Sequence, residues 1–153
     1  MVGIFKNLFA WFGATRNFGN KGSKFSKSEK VLLRQIDIEA AIAAHYAWKS
    51  RIATYLAGNS LEYFRPDIVG LDHRCALGKW LQSVKNTSLG QYPEVQRLLT
   101  EHQNFHFYAS YIVSYTHAGK LDKAQKLYDE GFEATSKRVI GLLHRLQSVD
   151  GLT

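Results

Sequence analysis

From Glu29 onward, apolar residues recur every three or four positions, which is the spacing of one face of an α-helix and not the alternation of a strand. Pattern and punctuation together predict four helices. Helix A is expected over 29–57, closing at "GNS", and a connection containing "RPD" leads to helix B over 72–84. After the loop "KNTSLGQY", Pro93 suits the first turn of helix C, where its missing N–H costs nothing. Helix C runs to His117, with Gly119 as its stop. Helix D covers 121–147, and Lys137, Arg138 and Arg145 in its second half suit the negative end of its dipole. No strand pattern competes and no internal repeat is visible. The expected fold is all-α, a four-helix bundle formed by residues 29–150.

Polar residues interrupt the apolar stripes at particular places. Helix A carries Ile38, Ala41, Ile42, Ile52 and Leu56 on one face, and His45 falls within that face. Helix C repeats the theme: Val95, Leu98, Leu99, Ala109 and Val113 form its stripe, with His102 and His106 inside it. Burying an imidazole without partners costs about 1–3 kcal/mol, so three of them need ligation or a hydrogen-bond network. His102 and His106 are four apart and project from one side of the helix. With His45 and Cys75, the only cysteine, they make three imidazole nitrogens and one thiolate. That donor set suits tetrahedral zinc in a closed site with no open position for substrate. Trp80 and Leu77 would shield the sulfur, and Gly78 would allow a close approach. Singly, each piece also fits an ordinary core: a lone cysteine is commonly inert, and an H-x-x-x-H pair commonly marks a solvated face. Their joint placement on the inward stripes of separate helices favours the metal.

The other histidines act as controls. On helix D the stripe is Leu121, Ala124, Tyr128, Thr135, Val139, Leu142 and Leu146, and His144 points away from it. His117 lies on the stripe of helix C but eleven residues beyond His106, roughly 16 Å along the axis. It cannot share the ion and is expected to interact with the helix end. His73 is close to Cys75 but turned away on a helix, which makes it a second-choice ligand. A di-iron bundle would need Glu-x-x-His pairs on facing helices. Glu101 adjoins His102 and Glu130 is isolated, so those carboxylates are missing and no catalytic metal centre is expected.

Length and composition narrow the class. A chain of 153 residues, 45% hydrophobic, is of one-domain size. A single cysteine rules out an internal disulfide framework and suits a reducing compartment, the cytoplasm. No apolar run approaches the roughly 18–20 residues that span a bilayer. The formal charge is +7, and much of the excess sits in residues 1–28, where Lys6, Arg16, Lys21, Lys24 and Lys27 meet no acid. Because that excess lies in a Gly/Asn/Ser-rich leader and not on a recognition helix, no nucleic-acid partner is expected. Val2, Ile4, Phe5, Leu8, Phe9, Trp11 and Phe12 could line one face of a short leader helix. That face reads either as an anchor on an anionic membrane surface or a partner, or as a tail or a helix packed on its own domain. Without an A-x-A-like site, it is not read as a cleaved export signal.

The order "HYAW" (45–48), "CALGKW" (75–80) and "HQNFH" (102–106) resembles the chemoreceptor zinc-binding domain of bacterial signalling proteins. That family's pattern is H-x-x-aromatic, then C-x-hydrophobic-G-x-hydrophobic, then H-x-x-x-H. The resemblance covers about 29–146 and includes Trp48, Leu77, Gly78 and Trp80. It implies a four-helix bundle holding one Zn2+ through His45, Cys75, His102 and His106, usually as a homodimer. It also implies a regulatory, non-enzymatic role attached to chemoreceptors or diguanylate cyclases, where zinc occupancy or oxidation of the cysteine changes output. The chain shows no GGDEF-type segment and no methyl-accepting coiled coil, so a stand-alone domain is expected. The alternative is an adaptor bundle that docks on a membrane or a partner, with zinc purely structural.

Overall fold

The computed structural model describes residues 25–150, so the leader as far as residue 24 lies outside the described residues. Seven α-helices follow in order: α1 (Lys27–Leu33), α2 (Ile38–Leu56), α3 (Pro66–Val69), α4 (Ala76–Val84), α5 (Pro93–His117), α6 (Leu121–Leu127) and α7 (Glu133–Asp150). Short 3-10 turns at Asp72–Arg74 and Leu89–Gln91 precede α4 and α5, and a π-helical turn, Tyr128–Phe132, joins α6 to α7. There is no strand among the described residues. The all-α expectation therefore holds, and the boundaries differ in three places.

The first difference is a break in helix A. Asp37 accepts a hydrogen bond from the Ala40 amide at 2.9 Å and starts α2 afresh. The piece before it, α1, begins earlier than expected, at a capping box. There the Ser26 amide donates to Glu29 Oε2 at 2.8 Å and the Glu29 amide donates to Ser26 Oγ at 3.3 Å. Phe25 is buried with its ring 4.7 Å from that of Tyr92. The second difference is in helix B, whose expected first turn is the 3-10 turn, so that α4 begins only after Cys75. The third is the π-turn in helix D, where Gly131 lets the Tyr108 ring lie so close that a Cβ would stand 2.4 Å from Cε1.

Helix α5 is the centre of the packing. It touches α2, α3, α4, α6 and α7, and α2 also lies against α7. Its ends are those expected: Pro93 occupies the first turn, and Gly119 adopts a left-handed φ of 68° just past the last turn. Ile38, Ala41, Ile42 and Ile52 from α2 are buried, as are Val95, Leu98, Ala109 and Val113 from α5. Ala124, Val139, Leu142 and Leu146 join them, while Leu121 is exposed, contrary to its place on the expected stripe. Among the described residues no helix is long and apolar enough to cross a membrane.

Candidate metal centre

Cys75 owes its position to the break before α4. It is the N-cap residue, with extended backbone angles (φ −80°, ψ 163°), and its Sγ accepts from the Gly78 amide at 3.3 Å. The sulfur thus sits where the first amides of a helix point outward unpaired. Gly78 is required by sterics: a Cβ there would lie 1.7 Å from the Asp72 carbonyl oxygen and 3.0 Å from His102 Cε1. The expected close approach is therefore that of the preceding turn and of an imidazole. Leu77 and Trp80, both on the helix that Cys75 caps, are buried, and the Trp80 indole donates to the Leu32 carbonyl at 2.9 Å.

Helix α5 brings the two expected imidazoles to the same place. Sγ of Cys75 lies 3.2 Å from Nε2 of His102. The ligating atoms of Cys75, His102 and His106 all lie within 4.8 Å of one another. His45, buried on α2, stands next to this trio with its ring centroid 5.5 Å from that of His102. The trio, not the full set of four, is what the geometry gathers as one group of donors. Nδ1 of His106 is 2.7 Å from the Val69 carbonyl, and Nδ1 of His45 is 2.7 Å from the Ala41 carbonyl. A carbonyl oxygen only accepts, so both Nδ1 atoms carry the proton and both Nε2 atoms keep their lone pairs. This is the tautomer that an outer carbonyl imposes on a metal-binding histidine. Sequence reasoning did not anticipate these two anchors. The Ala41 carbonyl is four residues before His45 and was within reach of it, whereas Val69 comes from α3 and carried no signal.

Burial governs the electrostatics. Desolvation pushes the pKa of His45, His102 and His106 below the ordinary imidazole value, that of His102 to about 3. Burial likewise raises the Cys75 thiol, against the opposing pull of the Gly78 and Leu77 amides. Neutral imidazoles and a thiol at a helix N-terminus are donors that borderline-soft divalent cations prefer, zinc among them. The residues present fit that ion. Phe105 backs the cluster, with its ring 5.0 Å from His45 and 5.6 Å from His106, and it stacks on Phe132 at 4.7 Å.

The remaining candidates fall away. His73 is exposed and lies 3.6 Å from Asp72, so it is not a ligand here. His144 is exposed, as expected. His117 is the basic residue of the last turn of α5, is exposed, and stacks on Tyr63 at 5.2 Å with an interplanar angle of 13°. Glu101 turns to Arg138, whose Nε lies 2.8 Å from its carboxylate, and supplies no donor to the cluster.

Residues 45–113 match the family described as the chemoreceptor zinc-binding domain. The matched span opens on His45 and includes Cys75, His102 and His106. No curated protein and no solved structure is significantly similar to the chain. The histidine and cysteine cluster and the matched span coincide, and residues 45–113 are similar to the chemoreceptor zinc-binding domain, a regulatory and non-catalytic family.

Proposed function

We propose that the chain is a non-enzymatic zinc-binding regulatory module that holds one Zn2+ through Cys75, His102, His106 and His45. The observation that carries this reading is the convergence of the Cys75 sulfur with His102 and His106 inside a 4.8 Å group. The His45 ring beside His102, with its lone pair fixed by Ala41, supports the fourth ligand. When bound, the ion would supply charge neutralisation and a cross-link between α2, α4 and α5, so that part of its binding energy becomes folding energy. The chain's own residues do the rest. Ala41 and Val69 orient two imidazoles, and the α4 amides favour sulfur in its anionic form.

The output belongs to the same proposal. Loss of metal, or oxidation of Cys75, would release the link between α4 and α5 and change the shape offered to a partner. In the oxidative case the thiolate sulfur attacks hypochlorous acid, giving the sulfenic acid and chloride. A homodimer in the cytoplasm, acting in chemotaxis or cyclic di-GMP signalling, is the setting that the family suggests. A peripheral place at the inner membrane through residues 1–28 is the further extension of that setting. Metal analysis of the purified chain and of its Cys75→Ala and His106→Ala variants tests the reading. About one zinc per wild-type chain is expected, and wild-type protein that takes up no added zinc would end it.

A further inference from the structure

A second feature adjoins the metal centre. A cavity of about 490 Å³ opens between α2 and the 63–74 segment, within the roughly 300–1,000 Å³ typical of small-molecule sites. Its walls are largely apolar: Trp48, Phe64, Ile68 and Leu71 all line it. Three arginines, Arg51, Arg65 and Arg74, line it as well, and no carboxylate does. By contrast, the neighbouring cavity of about 270 Å³ is lined by Asp37 and by no arginine.

The three guanidinium groups are not equivalent. Arg51 is held by Glu62 and lies 4.4 Å over the Trp48 ring, and Arg65 pairs with Asp67 at 2.6 Å. The Arg74 side chain is exposed and makes no hydrogen bond or ion pair among the described residues. The lining therefore combines a flat aromatic wall with a free planar fork of donors, the group best suited to a carboxylate.

We infer that this cavity binds a small aromatic carboxylate, its ring against Trp48 and Leu71 and its carboxylate on Arg74. This site would take its ligand whether or not the neighbouring cluster holds metal, although Cys75 and His106 also line the cavity.

The test uses benzoate as the probe on the full zinc-supplemented chain, followed by nitrogen-15 NMR at the Trp48 indole and the Arg74 side chain. Both signals should shift saturably. Arg74→Gln, which breaks no contact in the fold, should weaken binding by about tenfold or more. Neutral benzamide should bind weaker by a similar factor. Signals that do not move, an Arg74→Gln affinity equal to wild type, or benzamide binding as well as benzoate would each overturn the inference. So would benzoate binding that vanishes on metal removal yet ignores Arg74→Gln, because the carboxylate would then be on the metal. Zinc content measured on the same samples reports on the metal reading separately.

Discussion

Sγ of Cys75 and Nε2 of His102 stand 3.2 Å apart, though 27 positions separate the two residues in the chain. One donor comes from the start of α4 and the other from the middle of α5. Removing either should damage metal binding far more than removing an outer partner, which itself costs about 10–100-fold. Cys75→Ala and His102→Ala are each expected to lower zinc affinity by more than about 100-fold, read by competition with a chromogenic chelator. His45→Ala discriminates further. If it binds as tightly as wild type, the fourth ligand is wrongly assigned while the trio stands.

Gly78→Ala pits two effects against each other. Alanine gains about 1 kcal/mol of helix propensity over glycine. Its Cβ would nevertheless be placed 1.7 Å from the Asp72 carbonyl oxygen, which forces the turn before Cys75 to move. The steric effect wins, and a net loss of about 3 kcal/mol is expected, together with weaker zinc binding. Urea unfolding with and without zinc measures both. A variant as stable as wild type would show that the turn yields cheaply.

Trp80→Phe removes the indole N–H that donates to the Leu32 carbonyl. A loss of about 1–2 kcal/mol is expected for that bond, concentrated on one element. Amide exchange should quicken across Lys27–Leu33 and stay nearly constant in the middle of α5. Uniform acceleration over the whole chain would instead indicate a general packing defect.

The buried imidazoles make the metal-free protein sensitive to acid. His45, His102 and His106 all titrate below the ordinary value in the fold, His102 at about 3, because burial opposes their charge. The unfolded chain takes up protons near pH 6.5 while the folded chain does not, so stability is full above that pH and drains as pH falls toward the folded values. At pH 4.5, two units below the ordinary value, His102 alone should remove about 2–3 kcal/mol. Urea midpoints at pH 7 and 4.5 in the presence of chelator measure this, and His102→Leu should reduce the difference, leaving the share of His45 and His106. Equal midpoints for the wild type at both values would contradict the burial argument.

The helices were legible because their stripes repeat over many turns, and Pro93 and Gly119 mark the ends of α5 without ambiguity. The break at Asp37 was not, because Leu32, Leu33 and Ile36 continue the apolar rhythm and the only cue is one carboxylate three residues before Ala40. The start of α1 was readable in principle from Ser26 and Glu29 at capping-box spacing. Cysteine is not a residue that sequence rules place at an N-cap, so the true beginning of α4 was hidden by the very residue of interest. His102 and His106 could be read as one group from their four-residue spacing. The anchoring of His106 on Val69 could not, because it depends on how α3 folds back across α5.

The wide turn at Tyr128–Phe132 has a consequence for how the last helix may vary. Were the same five residues wound as an ordinary α-helical turn, every later side chain would swing by roughly 100° around the axis. Val139, Leu142 and Leu146, now buried, would then rotate toward water. The extra slack in a single turn is what keeps both halves of one long rod facing the same interior.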